Sequence, residues 1–272
     1  MVRIVRSYDQ PTDNYNHSPG SGKTTLLSLL TGDHPQSYTQ RPPHASLTLF
    51  SHPRPRLPTV HLRTLIGTVS PELAAAFPRR SHMLVWDVVG TGFEGTFVAQ
   101  GKKRVGTGMN LHGALSDEEE RWRVARVWDV LRRLGPAAWK QGGATRDAPA
   151  SAGDMAPSPT DRSFAERDFA ELGPGERAVV LFARAVVGRA PLLLLDEPWS
   201  GMDAGMVEAV RTYLLEGESG AGGQQGWDTQ AVVVVSHWES EVPWKVQDGL
   251  KVFHLEGGKG HVQGSYPGHP PI

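Results

Sequence analysis

The sequence predicts an α/β fold: a mainly parallel sheet with helices on its faces. Three observations carry that expectation. Strand-sized apolar stretches alternate along the chain with stretches of helical spacing. The two most apolar stretches, 192–195 and 231–235, are unbroken rather than alternating, as in strands buried on both faces. A Gly-rich loop ending at Gly22 also runs straight into a helix-like segment.

Taken in order, residues 24–30 read as a helix stopped by Gly32, and 46–50, 65–69 and 83–89 read as strands. Ser116-Asp117-Glu118-Glu119 is a capping box opening a helix that runs to Leu134. Trp122, Val124, Val127, Trp128 and Leu131 recur along it at helical spacing. Residues 176–187 form the next helix, and 192–195 and 232–235 the buried strands. Residues 135–163 hold few large apolar side chains and are expected to form a disordered insertion, with 217–226 a second flexible stretch.

Composition narrows the function classes. Lys and Arg total 28 against 29 Asp and Glu in 272 residues, a net charge of −1. That balance argues against nucleic acid or an anionic membrane as the dominant partner. With no cysteine there are no disulfides and no thiolate metal sites. No apolar run approaches the roughly 20 residues that span a bilayer, so no membrane-spanning segment is expected. The expected location is cytoplasmic. A mitochondrial alternative rests on nine basic against four acidic residues in 1–80.

Five motifs carry chemistry. His17-Ser18-Pro19-Gly20-Ser21-Gly22-Lys23-Thr24-Thr25 follows the phosphate-loop pattern of Gly, four residues, Gly-Lys-Ser/Thr, with His17 at the first glycine. Backbone N–H groups around Gly20 and Gly22 can turn toward phosphates, Lys23 can neutralise them, and Thr24 can offer a hydroxyl to Mg²⁺. Leu192-Leu193-Leu194-Leu195-Asp196-Glu197 is a strand ending in two carboxylates, one suited to a nucleotide's Mg²⁺ and one to a general base. Leu172-Gly173-Pro174-Gly175-Glu176 precedes it by two dozen residues, and Ser200-Gly201-Met202-Asp203 follows it. Ser236-His237 closes the last buried strand.

In this order and at these spacings the motifs resemble the nucleotide-binding domain of an ABC ATPase. The resemblance runs from about residue 17 to the C-terminus. Segments 66–73, 86–93 and 236–244 look like soluble fungal ABC ATPases related to the bacterial molybdate-transport ATPase-like (ModF) group, which often carry two cassettes. The resemblance implies a P-loop NTPase fold over 17–272 with an ABC-type helical subdomain at about 71–190. It implies ATP and Mg²⁺ as ligands, and a homodimer or a second cassette as partner. Pro19, Gly20, Ser21, Gly22, Lys23, Thr24 and Thr25 would bind phosphate, with Thr24 and Asp196 on Mg²⁺. Glu197 would be the catalytic base and His237 the switch histidine at the γ-phosphate. Leu172, Gly173, Pro174, Gly175 and Glu176 would cap the nucleotide of an opposite subunit. Ser200 and Asp203 belong to the loop linking two sites.

Beyond His17, the chain departs from the family at three further places. Ser70 stands where a glutamine is usual, and Gly173 replaces the signature serine. Segment 1–16 is atypical, so the N-terminal antiparallel β-region is expected to be incomplete and a central strand of the sheet missing. The expected function is therefore an ATP-binding cassette that hydrolyses Mg-ATP at a two-cassette interface. The alternatives are a non-catalytic nucleotide-binding regulatory module, a DNA-associated ABC-type ATPase and a small-molecule kinase.

Overall fold

The computed structural model describes residues 2–6, 22–39, 47–80, 82–106, 113–139, 157–216, 230–236, 242–244, 251–256 and 259–263. In chain order, the first elements are β1 (Val2–Arg6), α1 (Lys23–Thr31), α2 (Gln36–Thr39), β2 (Thr48–Leu49), β3 (His52–Pro53), α3 (Thr59–Leu65), β4 (Ile66–Val69), α4 (Pro71–Ala76) and α5 (Val85–Gly90). The second half supplies α6 (Asp117–Leu134), α7 (Pro136–Trp139), α8 (Pro159–Ala165), α9 (Pro174–Val187), β5 (Leu192–Asp196), α10 (Ala204–Glu216), β6 (Ala231–Ser236), β7 (Lys251–Glu256) and β8 (Lys259–Gln263).

Six strands form one sheet in the order β4-β5-β6-β1-β7-β8. All neighbouring pairs are parallel except the β7–β8 hairpin. Because side chains alternate across a strand, β5 feeds two cores. Leu193 and Leu195 join Val232, Val234 and α9 on one face, while Leu192 and Leu194 join Leu27 of α1, Leu62, Ile66 and Val235 on the other. Each buried leucine contributes about 1.5–3 kcal/mol.

Several expectations are corrected. The central strand expected to be missing is present: Val2–Arg6 lies between β6 and β7, with Val2 opposite Val232 and Arg6 opposite Ser236. Its β-branched run suits a strand paired on both edges. The expected strand at 83–89 is instead helix α5. Val85, Val88 and Val89 fall on one helical face and are fully buried, and the Asp87 carboxylate accepts the Leu84 N–H (3.3 Å). Residues 135–163, expected to be structureless, are helical at both described ends. Pro159 sits in the first turn of α8, Asp161 completes a capping box with Ser158, and Phe164 packs edge-on against Trp139 with ring centroids 5.7 Å apart. Residues 140–156 and 217–229 lie outside the described residues. At α6 the Ser116 hydroxyl does accept the Glu119 N–H (3.2 Å), but the Glu119 carboxylate pairs with Arg123 (3.0 Å), so only half of the box forms.

Buried arginines hold the helices together. Arg126 on α6 is 4 % exposed. It donates to the carbonyls of Val186 (3.1 Å) and Val187 (3.2 Å) and to the Tyr213 hydroxyl (2.8 Å), and it pairs with Asp129 (2.9 Å). It thus caps the end of α9, where carbonyls lack intrahelical partners, and ties α6, α9 and α10 at one point. Arg126→Ala strands those acceptors and is expected to lower stability by about 3 kcal/mol in urea unfolding. Lysine, with one nitrogen, should recover only part of the loss.

Asp168 zips residues 82–85 to 167–169. Its carboxylate accepts the N–H groups of Ala170 (2.9 Å) and His82 (2.6 Å), while Phe169 N–H donates to the Met83 carbonyl (2.9 Å). The Ala170 N–H first, and the His82 N–H second, hold this carboxyl below its ordinary 3.8. A depressed carboxyl stabilises the fold fully above the unfolded value and loses that contribution as pH falls through the folded one. The wild-type margin over Asp168→Ala in urea midpoint should therefore be constant from about pH 7 to 5 and shrink as pH drops below 3.8.

Candidate functional site at the carboxyl edge of the sheet

Parallel pairing brings the ends of the central strands level. Asp196 of β5 sits opposite Val235 of β6, and Ser236 sits opposite Arg6 of β1. The carboxyl edge of a parallel sheet is where α/β proteins place ligands. Asp196 is 8 % exposed there, the last residue of a strand that is otherwise Leu.

Glu197 continues the ladder by one bond, donating its N–H to the Val235 carbonyl (3.0 Å). It then turns the chain sharply, with φ of 46°. A non-glycine residue in the left-handed region costs about 1 kcal/mol, which the surrounding bonds must hold. One of them closes the turn: Ser200 N–H donates to the Glu197 carbonyl (3.0 Å). Both carboxylates are thus presented at the edge by a strained turn, and the sequence carried no signal of that strain.

The loop after the turn packs against the start of α9. A Cβ on Gly175 would lie 2.8 Å from the Gly201 carbonyl oxygen and 2.8 Å from Met206 Sδ. Only glycine permits that approach. Asp203 caps α10 by accepting the Met206 N–H (2.9 Å), and Ser200 is exposed beside it. At the head of α9, Leu172 is buried and Gly173 is the N-cap. Pro174 takes the first helical position, where a missing N–H costs nothing. The Glu176 carboxylate accepts the Gly173 N–H (3.0 Å) and binds Arg167 through both oxygens (2.5 and 3.0 Å). Glu176 therefore holds the head of its own helix closed in this chain.

On the other face of the sheet, α1 begins at Lys23. Gly22 is its N-cap at φ 86°, with its carbonyl accepting from Leu26 N–H (2.8 Å). Among the described residues no atom lies within 4 Å of a Cβ placed there, and it is the positive φ that favours the glycine. Lys23 is half-buried, and Thr24 and Thr25 are exposed. His17, Pro19, Gly20, Ser21 and His237 lie outside the described residues. Ser70, at the end of β4, uses its hydroxyl to cap α4, accepting the Leu73 N–H (3.0 Å).

The structure thus gathers Asp196, Glu197, Ser200 and Asp203 around one turn and sets the 172–176 segment against it. The helix from Lys23 packs on the opposite face from α9. Among the described residues, no three His, Asp or Glu side chains converge on one point. A Mg²⁺ ion that keeps waters and nucleotide oxygens needs only one or two protein ligands, and one strand-end carboxylate with one exposed threonine hydroxyl fits that demand.

Comparison with known proteins agrees with this geometry. The ABC transporter family model matches residues 18–200. An uncharacterized ABC transporter ATP-binding protein of Schizosaccharomyces pombe is 25 % identical over 89 % of this chain and 38 % of its own length. The ABC transporter ATP-binding protein ModF of Escherichia coli is 28 % identical over 88 % of this chain and 38 % of its own. The chain therefore spans under two fifths of the length of these curated relatives. Among solved structures, the dimeric post-hydrolysis state of the ATP-binding cassette MJ0796 bound to ADP and Pi aligns with a TM-score of 0.52 at 17 % identity. That alignment covers 97 % of this chain and 86 % of that one, a likeness of fold. No helix of the described residues is long and apolar enough to cross a membrane. With the matched segment covering the Gly22–Lys23 turn, the head of α9 and the Asp196–Glu197 strand end, the chain belongs to the ABC transporter family as an ATP-binding cassette domain.

Proposed function

We propose that this cassette hydrolyses ATP when paired with a second cassette. That partner would be another copy or a further domain of a longer protein, and the pair would act in the cytoplasm. The observation that carries the reading is the strand end: a buried Asp196 followed by Glu197 in a strained left-handed turn. Strain of this kind persists where function needs a fixed direction.

The residues divide the work as follows. The loop containing Pro19, Gly20, Ser21 and Gly22, together with Lys23, Thr24 and Thr25, binds the phosphates. Thr24 and Asp196 hold Mg²⁺, which when bound neutralises charge on the β- and γ-phosphates. Glu197 takes the proton of the attacking water, and His237 orients that water and the γ-phosphate. Leu172 to Glu176 head α9, which packs on the opposite face of the sheet from the helix that Lys23 begins. That separation supports a nucleotide shared between two cassettes, with Ser200 and Asp203 in the loop between the sites.

A second reading, a nucleotide-binding regulatory module without turnover, is favoured by two observations. Gly173 offers no hydroxyl at the head of α9, and the Ser70 hydroxyl is spent on capping α4. ATP binding by calorimetry and phosphate release by the wild type, Lys23→Ala and Glu197→Gln separate the two. If the chain hydrolyses ATP, Lys23→Ala loses binding. Glu197→Gln then keeps binding and loses about 100-fold or more in kcat, the worth of a positioned general base. If wild type and Glu197→Gln bind ATP alike and neither releases phosphate, the regulatory reading stands.

A further inference from the structure

A cavity of about 380 Å³ opens between α3, β4 and α4 on one side and the second half of α9 on the other. Its volume falls within the roughly 300–1,000 Å³ of small-molecule pockets. Leu62, Ile66, Leu73, Phe97 and Ala185 make its walls largely apolar. One wall also carries Arg184.

Arg184 is 6 % exposed. Nε donates to the Thr91 hydroxyl (2.9 Å) and Nη2 to the Thr96 carbonyl (2.9 Å), while the rings of Phe77 and Phe97 flank the guanidinium at 5.4 and 5.5 Å. Among the described residues nothing accepts from Nη1, and no carboxylate pairs with the group. The other buried arginines differ. Arg126 has Asp129, and Arg123 has Glu94 and Glu119. Arg54, which also pairs with no carboxylate among the described residues, donates from both Nη atoms to the carbonyls and hydroxyls that enclose it and leaves only Nε without an acceptor. Burial lowers the Arg184 pKa to about 10, which leaves it cationic at neutral pH. A buried cation without a counter-ion is costly unless an anion joins it.

The rim limits which anion. Asp33 and Glu72 stand there, exposed, beside Arg63. With Arg63 offsetting one of the two carboxylates, the mouth keeps a net negative charge, which opposes a polyanion more than a monoanion, so nucleotides and inorganic phosphate fit less well. We propose that this cavity binds a small monocarboxylate with an apolar body. Its carboxylate accepts from Arg184 Nη1, and its body lies among Phe97, Leu62 and Leu73. The inference makes no use of the nucleotide reading, and either can fail without the other.

The probe is sodium benzoate, with benzamide as the uncharged match in shape and inorganic phosphate as the compact anion. The readout is the side-chain Nε–Hε resonance of Arg184 in the ¹⁵N-labelled chain. It is identified by its loss in Arg184→Lys or, should that variant not fold, by through-bond connection to the Arg184 backbone. Benzoate should shift it saturably, about ten- to a hundred-fold more tightly than benzamide, the worth of one charge-assisted hydrogen bond. Phosphate should be weaker than benzoate. Thr68→Met, which fills the cavity from β4 and keeps every described partner of Arg184, should abolish the benzoate shift. An equal response to benzamide, tighter binding of phosphate, no response to benzoate, or a benzoate shift that survives in folded Thr68→Met overturns the proposal.

Discussion

Burial of β5 on both faces is the constraint on which the rest of the structure depends. A strand of four leucines has no solvent side, so a layer must cover each face. The helix from Lys23 lies on one face and α9, with α6 and α10 behind it, on the other. The strand's polar end, Asp196, is driven to the sheet edge because nothing in either core can solvate it. The position of the candidate site is thus a by-product of the same burial that stabilises the fold.

Covering a sheet with helices creates a second problem, the unpartnered carbonyls and cations that the helices bring with them. Arg126 solves one part by capping α9 while paired with Asp129. Arg54 solves another by donating to Thr31 and Leu57 carbonyls beneath the end of α1. These cations serve as acceptor-satisfying latches more than as ion pairs, which suits arginine's several fixed donors. Arg184 follows the same pattern on two of its three nitrogens, and the residue lines a cavity.

The parts of this architecture that the sequence made legible are those written in local pattern. The unbroken Leu and Val runs became β5 and β6, the Gly32 stop ended α1, and Ser116 began α6. Misreadings came where tertiary pairing outweighs local pattern. The valines of 85–89 suit a strand by propensity, yet they pack on one helical face once Asp87 caps Leu84. Segment 1–16 read as atypical and a central strand as missing, but a strand is placed by its neighbours, and Val2–Arg6 fills the gap of one strand between β6 and β7. At the site, residue identities were visible as motifs, whereas the left-handed Glu197 and the closure of Glu176 onto Gly173 exist only in three dimensions. Arg184 did have a signal, a lone cation inside the otherwise apolar run from Val179 to Val187, but a buried cation reads the same in sequence whether it latches a loop or faces a cavity.

The same close packing links the two ends of the candidate site mechanically. Glu197 fixes Ser200 by one hydrogen bond, and Gly201 follows at once. The Gly201 carbonyl lies so close to Gly175 that the head of α9 cannot move toward it without displacing the turn. Cores and turns packed to this density respond by switching between arrangements rather than by yielding gradually. A displacement at 172–176, the segment that would meet a second cassette, therefore reaches the Glu197 backbone through two contacts. Glu197 already sits in a sparsely populated conformation, so the position most exposed to such a displacement is also the one with the least energy to lose by relaxing.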